Sequence, residues 1–225
     1  MIWHVLLGEA PSLLYGAFLV VVILIGLISL GFMLGLMMAV LEVYGGRLSP
    51  CAALIQRLFR GIPPVVLLLL VFYLPFNLPP LLVGMVGLGL CSAAYQSQIF
   101  RGAIQSVRTG EILAGRALGM SRSQVIAHVV LPQALRRAIG PWTNELASQI
   151  KDTSLVYVVG VPELLRRARY IIAYTRGNAL LMYALIALIY LLLTRTGTSL
   201  LHRLEDRLWV PGFERRGATT MAREA

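Results

Sequence analysis

Residues 110–132, Gly-Glu-Ile-Leu-Ala-Gly-Arg-Ala-Leu-Gly-Met-Ser-Arg-Ser-Gln-Val-Ile-Ala-His-Val-Val-Leu-Pro, form the longest polar and basic interruption between two strongly apolar blocks. The stretch reads as helix, glycine turn, helix, stop. Ile112, Leu113, Ala117 and Leu118 give a short apolar stripe, and Gly119 is placed to end it in a left-handed turn. Ser121 offers an N-cap, with Gln124 at capping-box spacing. Pro132 disfavours helical geometry at the residue before it, so the second short helix is expected to stop near Val130.

The flanking blocks set the class. The chain has 225 residues, 58% of them hydrophobic, and a mean hydropathy of +0.77, well above a soluble domain. Its formal charge is +10, from 20 Lys and Arg against 10 Asp and Glu. The arginines lie between long apolar runs rather than on one soluble face, so membrane topology explains them better than nucleic acid does. Cys51 and Cys91 lie in or beside apolar stretches and read as buried thiols. His4, His128 and His202 have no metal-ligand spacing, and no metal site is expected. The single lysine, Lys151, lacks the glycine-rich loop of a phosphate-binding motif. No nucleophile–base arrangement stands out, so the chain is not expected to be an enzyme or to hold a cofactor by itself.

The fold expected is all-α and polytopic, with about five transmembrane helices at 12–41, 61–76, 81–105, 138–161 and 177–194. A helical hairpin at 110–131 completes a single domain over 1–210, and 211–225 form a flexible tail. Ser12 to Leu41 carries no charge, and at ~1.5 Å per residue it exceeds the ~30 Å hydrocarbon core. No positive residue precedes it, and it is too long for a signal peptide. Gly26, Gly31 and Gly35 suggest close helix packing, the last two at small-xxx-small spacing. Pro75, Asn77, Pro79 and Pro80 divide the uncharged run from Gly61 to Phe100.

Polar groups within these spans are the candidate site. Tyr95, Gln98 and Gly102 share a helical face, which either lines a path or packs against a neighbour. Asn144, Glu145, Gln149 and Asp152 interrupt the fourth span, three of them on one stripe. Ionisable groups in a span face protein or water and mark a pathway. The alternatives are mutual satisfaction, a cap at a helix break near Asp152-Thr153-Ser154, or an interfacial position near Lys151.

The hairpin resembles the cytoplasmic loop of bacterial ABC importer permeases, E-A-A, three residues, G, nine residues, I-x-L-P. Here Ala114, Gly115, Arg116, Ala117, Leu118 and Gly119 are followed, after Met120, Ser121 and seven more residues, by Val129-Val130-Leu131-Pro132. Leu113 stands where the family has Glu, and Gly115 where it has its second Ala. Phe59-Arg60-Gly61-Ile62-Pro63, the segment Ala94 to Ser106, and Asn144-Glu145 with Lys151-Asp152-Thr153-Ser154 resemble the polar amino acid branch, with Gln98 replacing a usual Glu. The resemblance implies a permease subunit of an ATP-driven importer for polar amino acids or related compounds such as opines. It further implies that residues 114–121 dock on an ATPase dimer, which binds the ATP. A second permease subunit and an extracytoplasmic substrate-binding protein complete the complex. A non-transporting scaffold or a channel is the alternative, although a channel would want repeated polar rings that are absent.

The resemblance and the apolar spans imply the bacterial inner membrane. The amino-terminal ten residues contain no Lys or Arg, whereas the first loop, the hairpin and the tail are arginine-rich. The positive-inside rule therefore places the amino terminus outside and the hairpin and carboxy terminus in the cytoplasm. Arg166, Arg167, Arg169 and Arg176 then fall outside, against the rule, as an external gate helix or a binding-protein contact.

Overall fold

The structure, a computed structural model, describes residues 2–175 and 178–208. Arg176, Gly177 at the start of the expected fifth span, and the expected tail at 211–225 lie outside the described residues. Among those described the chain is a bundle of helices: α1 (Ile2–Tyr44), α2 (Ser49–Gly61), α3 (Pro64–Phe72), α4 (Pro80–Gln105), α5 (Thr109–Ala117), α6 (Arg122–Val125), α7 (Leu131–Asp152), α8 (Leu164–Thr175) and α9 (Ala179–Arg207).

Among the described residues three helices are long and apolar enough to cross a membrane: α1 from Gly8, α4 and α9. The expected second span is different in kind. Ile62 and Pro63 are extended, and α2 meets α3 at 99°, because the residue before a proline is driven out of helical geometry. With nine residues, α3 rises only about 14 Å, so it crosses only as part of this bent pair. The expected fourth span begins earlier and ends earlier, as α7, with Arg136, Arg137, Glu145, Lys151 and Asp152 along it. It has the length of a span without its apolarity, and it is packed between α4 and α9.

Helix α1 is the spine. Near its start, Leu13 and Val20 pack with Leu164, Ala168 and Ile171 of α8 and with Met182 and Ile186 of α9. At mid-height, Ile23 and Leu27 join Leu68, Val83, Leu88 and Val156. Near its end, Ala39 meets Phe100 and Ile104 of α4, Val125 and Val130 beside the hairpin, and Ala134 and Ala138 of α7. Helix α8 and the hairpin therefore occupy opposite ends of the spine.

The α1–α4 contact relies on the expected small-residue pair. A Cβ on Gly31 would lie 2.3 Å from Ser92 Oγ and 2.6 Å from Gln96 Nε2, and one on Gly35 would lie 2.9 Å from the Ala93 carbonyl oxygen. Gln96, fully buried, donates to Ser92 Oγ at 2.7 Å and accepts from Trp142 Nε1 of α7 at 2.9 Å. Replacing Gly31 by valine is expected to force the helices apart and cost about 1–3 kcal/mol. A clear fall in the thermal unfolding midpoint of detergent-solubilised protein checks this; an unchanged midpoint refutes it.

Candidate functional site

The mid-height of the bundle holds a cavity of about 260 Å³ lined by Leu27, Pro64, Leu88, Cys91, Ser92, Tyr95, Glu145, Ser148, Gln149 and Asp152. Of the residues singled out in the sequence, Tyr95, Glu145, Gln149 and Asp152 meet here. Gln98 and Asn144 do not line it: Gln98 is half-buried and Asn144 is exposed elsewhere on α7. The stripe on α7 works as its spacing requires, since positions 145, 149 and 152 share a face. Ser92 and Ser148 went unremarked in the sequence, yet they stand three residues from Tyr95 and Glu145 on the same faces.

Gln149 Nε2 donates to Glu145 Oε1, which leaves the second Glu145 oxygen for another donor. Beyond Asp152 the α-helix gives way to a tighter turn at Thr153–Val159, where Thr153 Oγ1 donates to the Ile150 carbonyl at 2.6 Å and Ser154 Oγ to that of Lys151 at 2.7 Å. The hydroxyls satisfy the carbonyls that the ending helix frees. The helix break and the cavity are thus both present, and Asp152 belongs to both. Over the cavity's Tyr95, the Arg60 guanidinium stands 5.6 Å from the ring centroid.

At the spine's far end the hairpin closes as its sequence demands. Gly119 adopts φ +84°, its amide donates to Arg116 O at 3.0 Å, and Met120 N donates to Gly115 O at 3.2 Å, the paired bonds of a Schellman ending. Ser121 Oγ accepts from Gln124 N, and Gln124 Oε1 accepts from Ser121 N, which completes the expected capping box. The expected stop at Pro132 does not occur. Residues Ile126–Val130 widen into a π-helical turn, and Pro132 falls in the first turn of α7, where its missing amide costs little. The short second helix therefore runs directly into the fourth segment. The expected apolar stripe also divides: Ile112 packs inward, while Leu113, Ala117 and Leu118 are exposed.

The hairpin is tied to the bundle at two places, and the end of α4 that leads into it at a third. Arg122 donates to the Tyr44 carbonyl at 2.9 Å and lies 5.8 Å from the Tyr44 ring centroid. Glu111 accepts from Gln133 of α7, and Arg137 of α7 donates to the Ser106 carbonyl at the end of α4.

A family profile for the inner membrane component of binding-protein-dependent transport systems matches residues 31–210. The chain belongs to that family. It is a membrane permease component, and in such systems ATP is hydrolysed on a separate subunit. The chain is 35% identical over 215 residues to the glutamine transport system permease protein GlnP of Escherichia coli K12, covering 92% of this chain and 97% of that one. It is 34% identical over 189 residues to the arginine ABC transporter permease protein ArtQ of Haemophilus influenzae, with coverage of 79% and 85%. Its fold superimposes with a TM-score of 0.81 and 28% identity on a chain from a crystal structure of an amino acid ABC transporter with histidines, covering 90% of this chain and 96% of that one.

In this permease, Arg122 is expected to fix the hairpin against α1. Changing it to alanine should raise amide exchange across 119–125 several-fold without affecting α1 or α4. Hydrogen-exchange mass spectrometry reads this directly, and unchanged protection would assign the anchoring to the apolar cluster alone.

Proposed function

We propose that this chain is the permease subunit of an ATP-driven importer for polar amino acids or closely related compounds carrying a cationic group. Its central cavity serves as the translocation path. The observation that carries the reading is that a bundle of this family encloses, at mid-height, a cavity lined by Glu145 and Asp152 and by no lysine or arginine among the described residues. Carboxylates held there suit an α-ammonium or a cationic side chain, and Ser92, Ser148, Gln149 and Tyr95 offer hydrogen bonds to the rest of the molecule. The relatives named for glutamine and for arginine fit that class.

On this reading residues 114–121 dock on the ATPase subunits, and the hairpin carries their closure into the bundle. The support is the cluster in which Ile112, Met120, Val125 and Val130 pack with Phe100 and Ile104 of α4 and with Ala134 and Ala138 of α7. A push on the hairpin thereby acts on the two helices that carry Tyr95 and Glu145. A second permease subunit and an extracytoplasmic binding protein complete the assembly. The amino terminus lies outside and the carboxy terminus in the cytoplasm, with α1, the α2–α3 pair, α4, α7 and α9 as five crossings.

Proteoliposomes holding the permease, its ATPase and its binding protein test this. ATP-dependent uptake of cationic or zwitterionic amino acids is expected to outcompete that of acidic ones. Glu145→Gln should lower uptake at least about tenfold while ATPase co-purification persists. Gly119→Asp is expected to insert normally but lose the ATPase, because its left-handed turn suits glycine. An inserted wild type that binds no ATPase would sink the importer reading and favour a scaffold. Undiminished uptake by Glu145→Gln would remove that carboxylate from the path.

A further inference from the structure

A second cavity, of about 330 Å³, opens between α1, α2 and α4 on the half of the spine nearest the hairpin. Its walls include Leu34, Met37 and Leu41 of α1, Ile55 and Phe59 of α2 and Leu90 of α4. No charged, amide or hydroxyl side chain among the described residues lines it. Both walls are fixed to α4. Gln56, buried on the inner face of α2, donates to the Ala94 carbonyl at 3.2 Å, and Gly31 and Gly35 hold α1 against the same helix. The groove is therefore preformed, and an occupant pays little to enter it. From Leu34 to Leu41 it follows α1 for about 10 Å. Its mouth is open, because Met37, Leu48 and Cys51 on its lining are exposed. Cys51 was expected to be a buried thiol, and the open mouth is why it is not.

The end of the groove at Leu41 and Leu48 is cationic. Exposed Arg47 precedes Leu48, Arg122 donates to the Tyr44 carbonyl at 2.9 Å, and Arg101 pairs with Glu42 at 2.9 Å. Glu42 is engaged by Arg101 and its side chain is only 7% exposed, so it leaves the other two cations unbalanced. Residues 43–61 add no Asp or Glu. We propose that this groove is a phospholipid site: one acyl chain of an anionic lipid lies between α1, α2 and α4, and its headgroup phosphate meets Arg47 and the guanidinium groups gathered at the end of α1. In a bilayer an apolar space open to the side fills with hydrocarbon, because a void forfeits its contacts. Methionines adapt its wall to a flexible chain, and arginine suits a phosphate held in a basic pocket between spans. A second copy of the chain fits worse. A symmetric interface sets a patch against itself, which would bring two cationic rims together. The inference needs only the membrane setting and is independent of any ATPase contact.

Native mass spectrometry of the full-length permease, purified in detergent, tests this with added phosphatidylglycerol or phosphatidylcholine of the same acyl chains. Wild type is expected to retain one phosphatidylglycerol per chain at least about tenfold better than phosphatidylcholine. Arg47→Gln should cut that preference about fivefold. Cys51→Trp fills the groove from its mouth and should lower retention of both lipids at least about fivefold. A second measurement needs no variant. In vesicles of phosphatidylcholine with phosphatidylglycerol, N-ethylmaleimide should alkylate Cys51 several-fold more slowly than in phosphatidylcholine alone, with Cys91 of the central cavity unchanged as the internal reference. Equal retention of the two lipids by wild type overturns the anionic site. Undiminished retention by Cys51→Trp, or equal alkylation of Cys51 in both vesicles, places the lipid elsewhere and overturns the groove. A Cys51–Cys51 disulfide between two chains on mild oxidation would assign the groove to a second copy instead.

Discussion

Along one face of α1, Gly31 and Gly35 bring its backbone against Ser92, Ala93, Gln96 and Ser97 of α4, close enough that no side chain fits between. In a membrane, lipid tails are as apolar as leucine, so helices associate through packing and hydrogen bonds rather than through exclusion from water. The approach sets where everything else can go. It brings Gln96 within reach of both Ser92 and Trp142, which draws α7 onto α4. The cavity then forms where α1, α4 and α7 diverge around Leu27, Leu88 and Glu145.

That arrangement explains why α7 can carry charge. A helix with Glu145, Lys151 and Asp152 would be poorly tolerated against lipid, and it need not face lipid here. Helices α4 and α9 pack on it, Gln149 engages one Glu145 oxygen, and the helix tightens into a narrower turn directly after Asp152. Irregular backbone at membrane depth is tolerable where it lies in protein or lines a cavity, and Thr153 and Ser154 supply the hydroxyls that make it so.

Much of this was legible in the sequence because it depends on local rules. The glycine turn at 119, the Ser121–Gln124 box and the Gly31–Gly35 spacing each act within a few residues of chain, and each sits as expected. What depended on a distant partner was not legible. Pro132 reads as a stop, yet a π turn upstream absorbs it and α7 continues. Tyr95 and Gln98 lie on adjoining positions of α4, but only Tyr95 reaches the cavity, because the approach of α1 and α7 decides which part of the face is open. Leu113 and Leu118 read as a packing stripe, and the hairpin's own fold turns them outward while Ile112 takes the inner position.

The arginines of α8 were the apparent exception to the charge rule, and their geometry resolves it. Arg166 lies 5.5 Å from the Tyr170 ring and donates to the Tyr157 carbonyl at 3.1 Å; Arg167 lies 5.0 Å from the Tyr15 ring of α1 and donates to the Pro162 carbonyl at 3.2 Å; Arg169 lies 5.5 Å from the Tyr157 ring. Arg167 holds α8 to the spine, while Arg166 and Arg169 hold it to the turn after α7. Fully buried Glu163 caps the same helix, accepting from the amides of Leu165 and Arg166 and from Tyr190 of α9. The positive-inside rule describes short loops near the ends of spans and sums their charge as a bias, not a prohibition. A segment whose guanidinia are stacked on rings and bound to carbonyls has a structural reason for its arginines on either side of the membrane. The cluster therefore weighs little against the proposed orientation, which rests on the arginines of the first loop, the hairpin and the carboxy-terminal end.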